Sequence, residues 1–120
     1  VSAPAGFGAF VTSAIRFWEP ARILYNLALA AAFFGFGGGV LLDAGRIAPA
    51  VMVLLFAAVA NLLYCLAYPV DLAVQASAYR EGYVRLGRPA LFAGGLLVAL
   101  GLEYLAVFAM TITPPTPAAP

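Results

Sequence analysis

Five carboxylates, six arginines and one cysteine are the chemically versatile side chains of this 120-residue chain, which has no histidine. Without histidine, the commonest ligand for transition metals and haem iron is missing, as is the usual general base. Cys65 stands alone, so no disulfide or thiolate metal cluster can close within the chain. In its apolar surroundings it reads as a small core residue. No catalytic triad, phosphate-binding glycine loop or carboxylate pair is present. The sequence therefore points away from an enzyme and implies no cofactor or metal.

Four of the acids, Glu19, Asp43, Asp71 and Glu81, fall at the borders of apolar segments or between them, where solvation accounts for them. Glu103 does not. It lies inside the last apolar segment, roughly 20 Å from the start of that segment at the usual helical rise. A carboxylate there is expected to be protonated, paired or facing a wet cavity. Arg46 is the candidate partner, reaching inward along its aliphatic stem. The functional reading is a proton or cation site. The structural one is a neutral or paired glutamate that fixes helix packing or meets another subunit.

The elements that must position these groups are apolar. Residues are 65% hydrophobic and 9% charged, with a mean hydropathy of +1.02. Segments at residues 21–38, 48–68 and 89–111 each approach the roughly 20 residues a helix needs to cross a bilayer. The fold class expected is an all-α integral membrane protein with three transmembrane helices and one or two interfacial amphipathic helices. Residues 1–112 form one domain, followed by the Pro-rich tail 113–120, which is extended unless something holds it. Nothing at the front has the pattern of a cleavable signal.

Arginine placement gives an orientation. Arg16, Arg22, Arg80, Arg85 and Arg88 would share one side of a three-span protein, and only Arg46 the other. The positive-inside rule puts the first side, with the N-terminus, in the cytoplasm and the C-terminus in the periplasm. Arg80, Arg85 and Arg88 are candidate contacts for anionic lipid headgroups, at about 1 kcal/mol each, with Asp71 and Glu81 weakening the field. The net charge of +1 does not suggest a nucleic-acid partner.

Along the chain, Phe7, Phe10, Val11, Ala14, Ile15 and Trp18 fall on one helical face. They predict a short interfacial helix or an arm packed on a neighbour. Glu19-Pro20 has the pattern of a fresh helix start. Ala28, Ala31, Ala32, Gly35 and Gly39 in the first span, and Gly94 and Gly101 in the third, are candidate helix-packing positions, because small residues let helices approach in lipid. Asn26 and Asn61 lie at similar depth and are candidates for an interhelical hydrogen bond. In the second span Ala57, Ala60, Asn61, Tyr64 and Tyr68 form a stripe expected to face protein. Pro69 and Asp71 are expected to break or kink that helix. An amphipathic stretch follows, with Leu72, Ala76, Tyr79, Tyr83 and Leu86 on one face and Gln75, Arg80 and Arg85 off it. In the third span Glu103 lies about 160° from Gly101, so one neighbour cannot cover both faces.

The segment Phe17-Trp18-Glu19-Pro20-Ala21-Arg22-Ile23-Leu24-Tyr25-Asn26 resembles the opening of the first span in a group of small bacterial inner-membrane proteins. Residues 60–68, Ala-Asn-Leu-Leu-Tyr-Cys-Leu-Ala-Tyr, are similar to their second span. The resemblance covers most of residues 17–110. It implies a bacterial inner-membrane location and no activity. The function expected is a non-catalytic accessory or scaffolding subunit of a larger membrane complex of respiratory or photosynthetic type, with other membrane subunits and lipids as partners. The alternative is a small oligomeric transporter or proton- or cation-conducting protein using Glu103.

Overall fold

The computed structural model describes residues 6–43 and 45–113. Every regular element among them is helical: α1 (Phe7–Gly35), α2 (Gly38–Asp43), α3 (Ile47–Cys65), α4 (Ala67–Gln75), α5 (Arg80–Gly82), a π-helical turn (Tyr83–Gly87) and α6 (Arg88–Ile112). Beyond Thr113 the Pro-rich tail lies outside the described residues.

Two helical stretches are long and apolar enough to cross a membrane. They are Ile47–Gln75, with a mean hydropathy of 2.4 over its most apolar window, and Arg80–Ile112, with 2.0. Only 11% and 17% of those windows are buried inside the chain, so most of their apolar surface is uncovered. The first expected span does not meet the same standard. In α1, Glu19, Pro20, Arg22 and Asn26 interrupt the apolar run.

The chain does not restart a helix at Glu19-Pro20. A single helix of 29 residues runs from Phe7 to Gly35 with Pro20 inside it. Proline in a helix interior removes one backbone bond and costs about 3 kcal/mol. Tertiary anchors on either side offset that cost: Trp18 below Pro20 and Tyr25 above it are both buried. The amphipathic face seen in residues 7–18 is thus used within the chain, with Ala14 and Trp18 buried, while Phe7 and Ile15 stay exposed. α1 ends where Gly37 takes a positive φ of 89°, a conformation that suits glycine at a helix C-terminus.

Pro69 acts at a distance of one turn. It has no N–H to offer the Cys65 carbonyl, and α3 stops at Cys65, with Leu66 bonding back to Leu63 at 3.1 Å. The kink lets α4 lean onto α1. α4 buries Asp71 and Gln75 fully, with Leu72 half-buried against the core and Ala76 exposed. The chain turns at residues 76–79 before helix resumes at Arg80, so the amphipathic stretch is not one continuous helix.

The core is a strip of Ala14, Trp18, Tyr25, Leu29, Ala60, Tyr64 and Ala99. α1 therefore supplies large side chains to the centre. Its expected small-residue face is not the internal one. Ala28 is half-buried, and Ala31, Gly35, Gly94 and Gly101 are exposed, with nothing within 4 Å of a Cβ added at any of the three glycines. Ala31, Gly35 and Gly101 lie on the uncovered surface, and Gly94 lines an open cleft between α3–α4 and α6.

Candidate functional site

The strongest polar constellation lies where α4, α1 and the foot of α6 meet. Asp71 is wholly buried and Arg88 is 4% exposed. Arg88 grips the carboxylate with two donors, Nε to Oδ2 at 2.7 Å and Nη2 to Oδ1 at 2.8 Å. Trp18 Nε1 donates to Oδ2 at 2.8 Å and the Tyr83 hydroxyl at 3.0 Å. Gln75, one turn along α4, donates to Oδ1 and also to the Phe10 carbonyl at 3.0 Å. The remaining arm of Arg88 donates to Ser13 Oγ at 2.9 Å. Phe17 and Tyr83 rings flank the guanidinium at 5.8 and 5.9 Å.

The π-turn makes this convergence possible. In an α-helix, residues five apart are rotated by about 140°. A π-turn brings residue i+5 back over residue i, so Tyr83 and Arg88 serve one carboxylate. The turn also requires a residue without a side chain at Gly87, where a Cβ would lie 2.5 Å from Tyr83 Cδ2 and 3.3 Å from its Cγ. Contact so near the base of the ring leaves it little room to swing aside. Gly87→Ala is expected to cost about 1–3 kcal/mol and to lift the Tyr83 hydroxyl off Asp71. Thermal unfolding in detergent checks this, and a melting point unchanged from the parent would show the turn to be indifferent to that methyl group.

A second set of polar contacts runs along α1 from this hub. The Tyr64 hydroxyl donates to the Trp18 carbonyl at 2.6 Å, and the Tyr25 hydroxyl to the Ala60 carbonyl at 3.2 Å. Asn26 and Asn61 exchange hydrogen bonds of 3.1 and 2.9 Å. Each also donates to the carbonyl one turn before it, at Arg22 and Ala57. Arg22 sits 3.5 Å from Glu19, 3.6 Å from Cys65 Sγ, and over the rings of Tyr64 and Tyr68. The Tyr68 hydroxyl donates to Glu19. Cys65 is exposed beside Arg22 and is not a core residue. The two distinctive segments, 17–26 and 60–68, are thus the two sides of one interhelical seam, and nearly every polar residue in one answers a residue in the other.

Several expected sites stand elsewhere. Asp71 is held by donors rather than by solvent, because its four protein partners reach it before water does. Arg88 is not a lipid contact, since Asp71 and Ser13 take its donors. Arg80 is half-buried with its guanidinium 5.0 Å from the Phe10 ring, and Arg85 is exposed. Glu103 is 5% exposed on the inner face of α6, but it does not pair with Arg46, which is exposed. Its Oε2 has no hydrogen-bond partner. The sequence reading missed Trp18, Ser13, Gln75 and Tyr83 as parts of a site. Its one available signal was an acid and a base, Asp71 and Arg88, standing at the facing ends of two apolar segments.

Between α3–α4 and α6 an apolar cleft of about 390 Å³ opens, floored by Trp18 and Tyr25 and walled by Phe56, Leu63, Leu96 and the exposed Gly94. Among the described residues, no three His, Cys, Asp or Glu side chains converge as a metal site would need. Arg88, Trp18, Tyr83 and Gln75 all direct donors at Asp71, and the remaining Arg88 arm donates to Ser13. The hub's chemistry is that of a joint: a compensated charge pair that fixes three helices in register. No family model, curated protein or solved structure matches the chain.

Proposed function

We propose that this chain is a non-catalytic accessory or scaffolding subunit of a larger bacterial membrane complex, of respiratory or photosynthetic type. Three helices cross the inner membrane in this reading, with the N-terminus cytoplasmic and the C-terminus periplasmic. The arginine asymmetry supports the orientation, and the motif resemblance supports the location. α1 joins the two apolar stretches as a span because the groups that interrupt it, Glu19, Arg22 and Asn26, are engaged by partners on α3 and α4.

The observation that carries the reading is the α3–α6 cleft. Three helices locked together by buried polar groups still leave an apolar groove walled in part by Gly94 and Gly95, and the exposed Gly101 adds small-residue surface on the same helix. Helices associate in lipid through such close-approach surfaces.

Purification in mild detergent through an N-terminal tag, with mass spectrometry of what accompanies the chain, tests this. Stoichiometric membrane subunits are expected, and Gly94→Phe, which fills the cleft from its open side, is expected to release them while the melting point holds. Recovery of the chain alone as a defined homo-oligomer would overturn the reading. That outcome would favour the second one, a small transporter or ion-conducting oligomer acting through Glu103, for which the unpartnered Oε2 is the supporting observation. Glu103→Gln would then abolish transport and leave assembly intact.

A further inference from the structure

Two charged residues occupy the inner face of α6, and they are treated in opposite ways. Arg88 is compensated by a carboxylate and a hydroxyl. Glu103, fifteen residues along the same helix and equally buried, hydrogen-bonds to none of the described residues, and its Oε2 is sealed from solvent. Of the four buried polar residues, Asp71, Gln75, Arg88 and Glu103, the first three belong to one network and Glu103 stands outside it. Arg22 Nε and Gln75 Oε1 are also buried without a partner, but both side chains bond through their other atoms. Among the described residues Glu103 is the buried one whose side chain makes no bond, and that calls for a specific cause. An ionised carboxylate in apolar surroundings is the costliest form this side chain can take.

We propose that Glu103 is a proton-binding site, neutral when α1 and α6 are packed, with Tyr25 as the group that answers its charge when the proton leaves. The ligand proposed is a proton and not a metal cation, because hard cations take about six or more oxygen ligands and among the described residues no second carboxylate joins Glu103 in a cluster of three metal-ligating side chains. The ionisable groups on the surrounding elements are few. α1 offers Tyr25, which packs in the same core cluster as Ala99, one helical turn before Glu103 on the buried face of α6. Glu19 and Arg22 on the same helix are engaged with each other and with Cys65, Tyr64 and Tyr68. α2 carries Asp43, and Arg46 precedes α3, both exposed. On α6 itself Tyr104 is exposed, meets Phe36 edge to face and stacks on Phe108.

Tyr25 suits the role because its present bond is weakly held. The hydroxyl donates over 3.2 Å to the Ala60 carbonyl, an oxygen inside α3 that the helix ladder already supplies with a donor. Turning to a carboxylate exchanges this for a charge-assisted bond. Loss of the proton therefore frees α1 from α3 at Tyr25 and places a charge between α1 and α6, so the packing of α1 becomes sensitive to pH at this level.

The test uses the purified full chain in detergent and the hydrophobic reagent dicyclohexylcarbodiimide, which attacks protonated carboxyls in apolar sites, with peptide mass spectrometry as readout. Glu103 is expected to label at neutral pH while the ion-paired Asp71 does not, and labelling is expected to fall as the pH is raised. Excess sodium or potassium leaves it unchanged. Glu103→Gln removes the label. Tyr25→Phe, which deletes only the hydroxyl, is expected to move the loss of labelling to higher pH by about one unit, a tenfold change in proton affinity. Absence of labelling across the whole pH range would overturn the proposal, and protection by sodium would replace the proton with a cation. An unmoved midpoint in Tyr25→Phe would remove Tyr25 from it. None of these outcomes depends on what co-purifies with the chain.

Discussion

Asp71→Ala is expected to cost about 3–5 kcal/mol of folding free energy, a large part of what a domain of this size has to lose. The loss comes less from the attraction removed than from what is stranded. Arg88, 4% exposed, keeps a full charge with only Ser13 to answer it. Trp18 Nε1 and the Tyr83 hydroxyl lose their acceptor in the same step, and each orphaned donor adds its own desolvation penalty. Arg88→Ala fails for the mirror reason, leaving a carboxylate with no cation in a site that water does not reach. Restoring a buried charge pair in isolation is not what stabilises such a joint, since two well-packed apolar residues often do as well. The double variant Asp71→Leu with Arg88→Met is therefore expected to recover the part of the loss that comes from the stranded charge, and to stay below the parent because Trp18 and Tyr83 still lack their acceptor. Trp18 is the only tryptophan in the chain and touches Asp71, so its fluorescence during thermal unfolding in detergent reports on the joint directly. Singles that melt like the parent, or a double no better than the singles, would show that the pair does not hold the helices.

The π-turn sets how finely this joint is tuned. Tyr83 and Arg88 reach one carboxylate only because the helix is underwound and widened between them, and Gly87 is the residue that lets the Tyr83 ring lie close to the backbone there. The hub thus depends on one backbone irregularity that no propensity scale anticipates.

What the residues announce and what they conceal follow one physical division. Apolar length is a local property, and the two stretches ending at Gln75 and Ile112 are visible in the sequence as runs. The burial of Asp71 is not. It depends on α1 arriving from more than fifty residues away with Trp18 in register, and a border carboxylate looks the same whether water or an indole will meet it. Pro20 misleads for a related reason. Its local cost is real, but Trp18 and Tyr25 on either side are both anchored to α3, and tertiary bonds decide that the helix continues. Small residues mislead in the opposite sense. Ala31, Gly35 and Gly94 read as helix-packing positions without saying against what, and the large side chains of α1 fill the centre while Ala31 and Gly35 stay exposed and Gly94 lines the cleft. The polar seam was half legible: Asn26 and Asn61 stand at matching depth, but the pairing of Glu19 with Tyr68 and Arg22 with Cys65 requires knowing which faces meet.

Trp18→Ala is expected to lose about 3–5 kcal/mol, the usual range for deleting a buried aromatic, and to do so through packing more than through its hydrogen bond. The indole is 1% exposed and meets Phe17 and Tyr64 edge to face, with centroids 4.8 and 5.7 Å away. It is also the floor of the α3–α6 cleft, so the vacated volume cannot collapse onto a neighbour on that side. Trp18→Phe keeps most of the ring and deletes the donor to Asp71, and about 1–3 kcal/mol is the expected loss for that acceptor left short. The two variants therefore separate the packing contribution from the polar one, measured by circular dichroism melts because the intrinsic fluorophore is gone. If Trp18→Phe is as damaging as Trp18→Ala, the hydrogen bond carries the residue's role and the cleft floor is incidental. If both behave as expected, Trp18→Ala should also weaken recovery of accompanying membrane subunits, while Trp18→Phe should spare it, because only the first changes the surface on which a partner helix would rest.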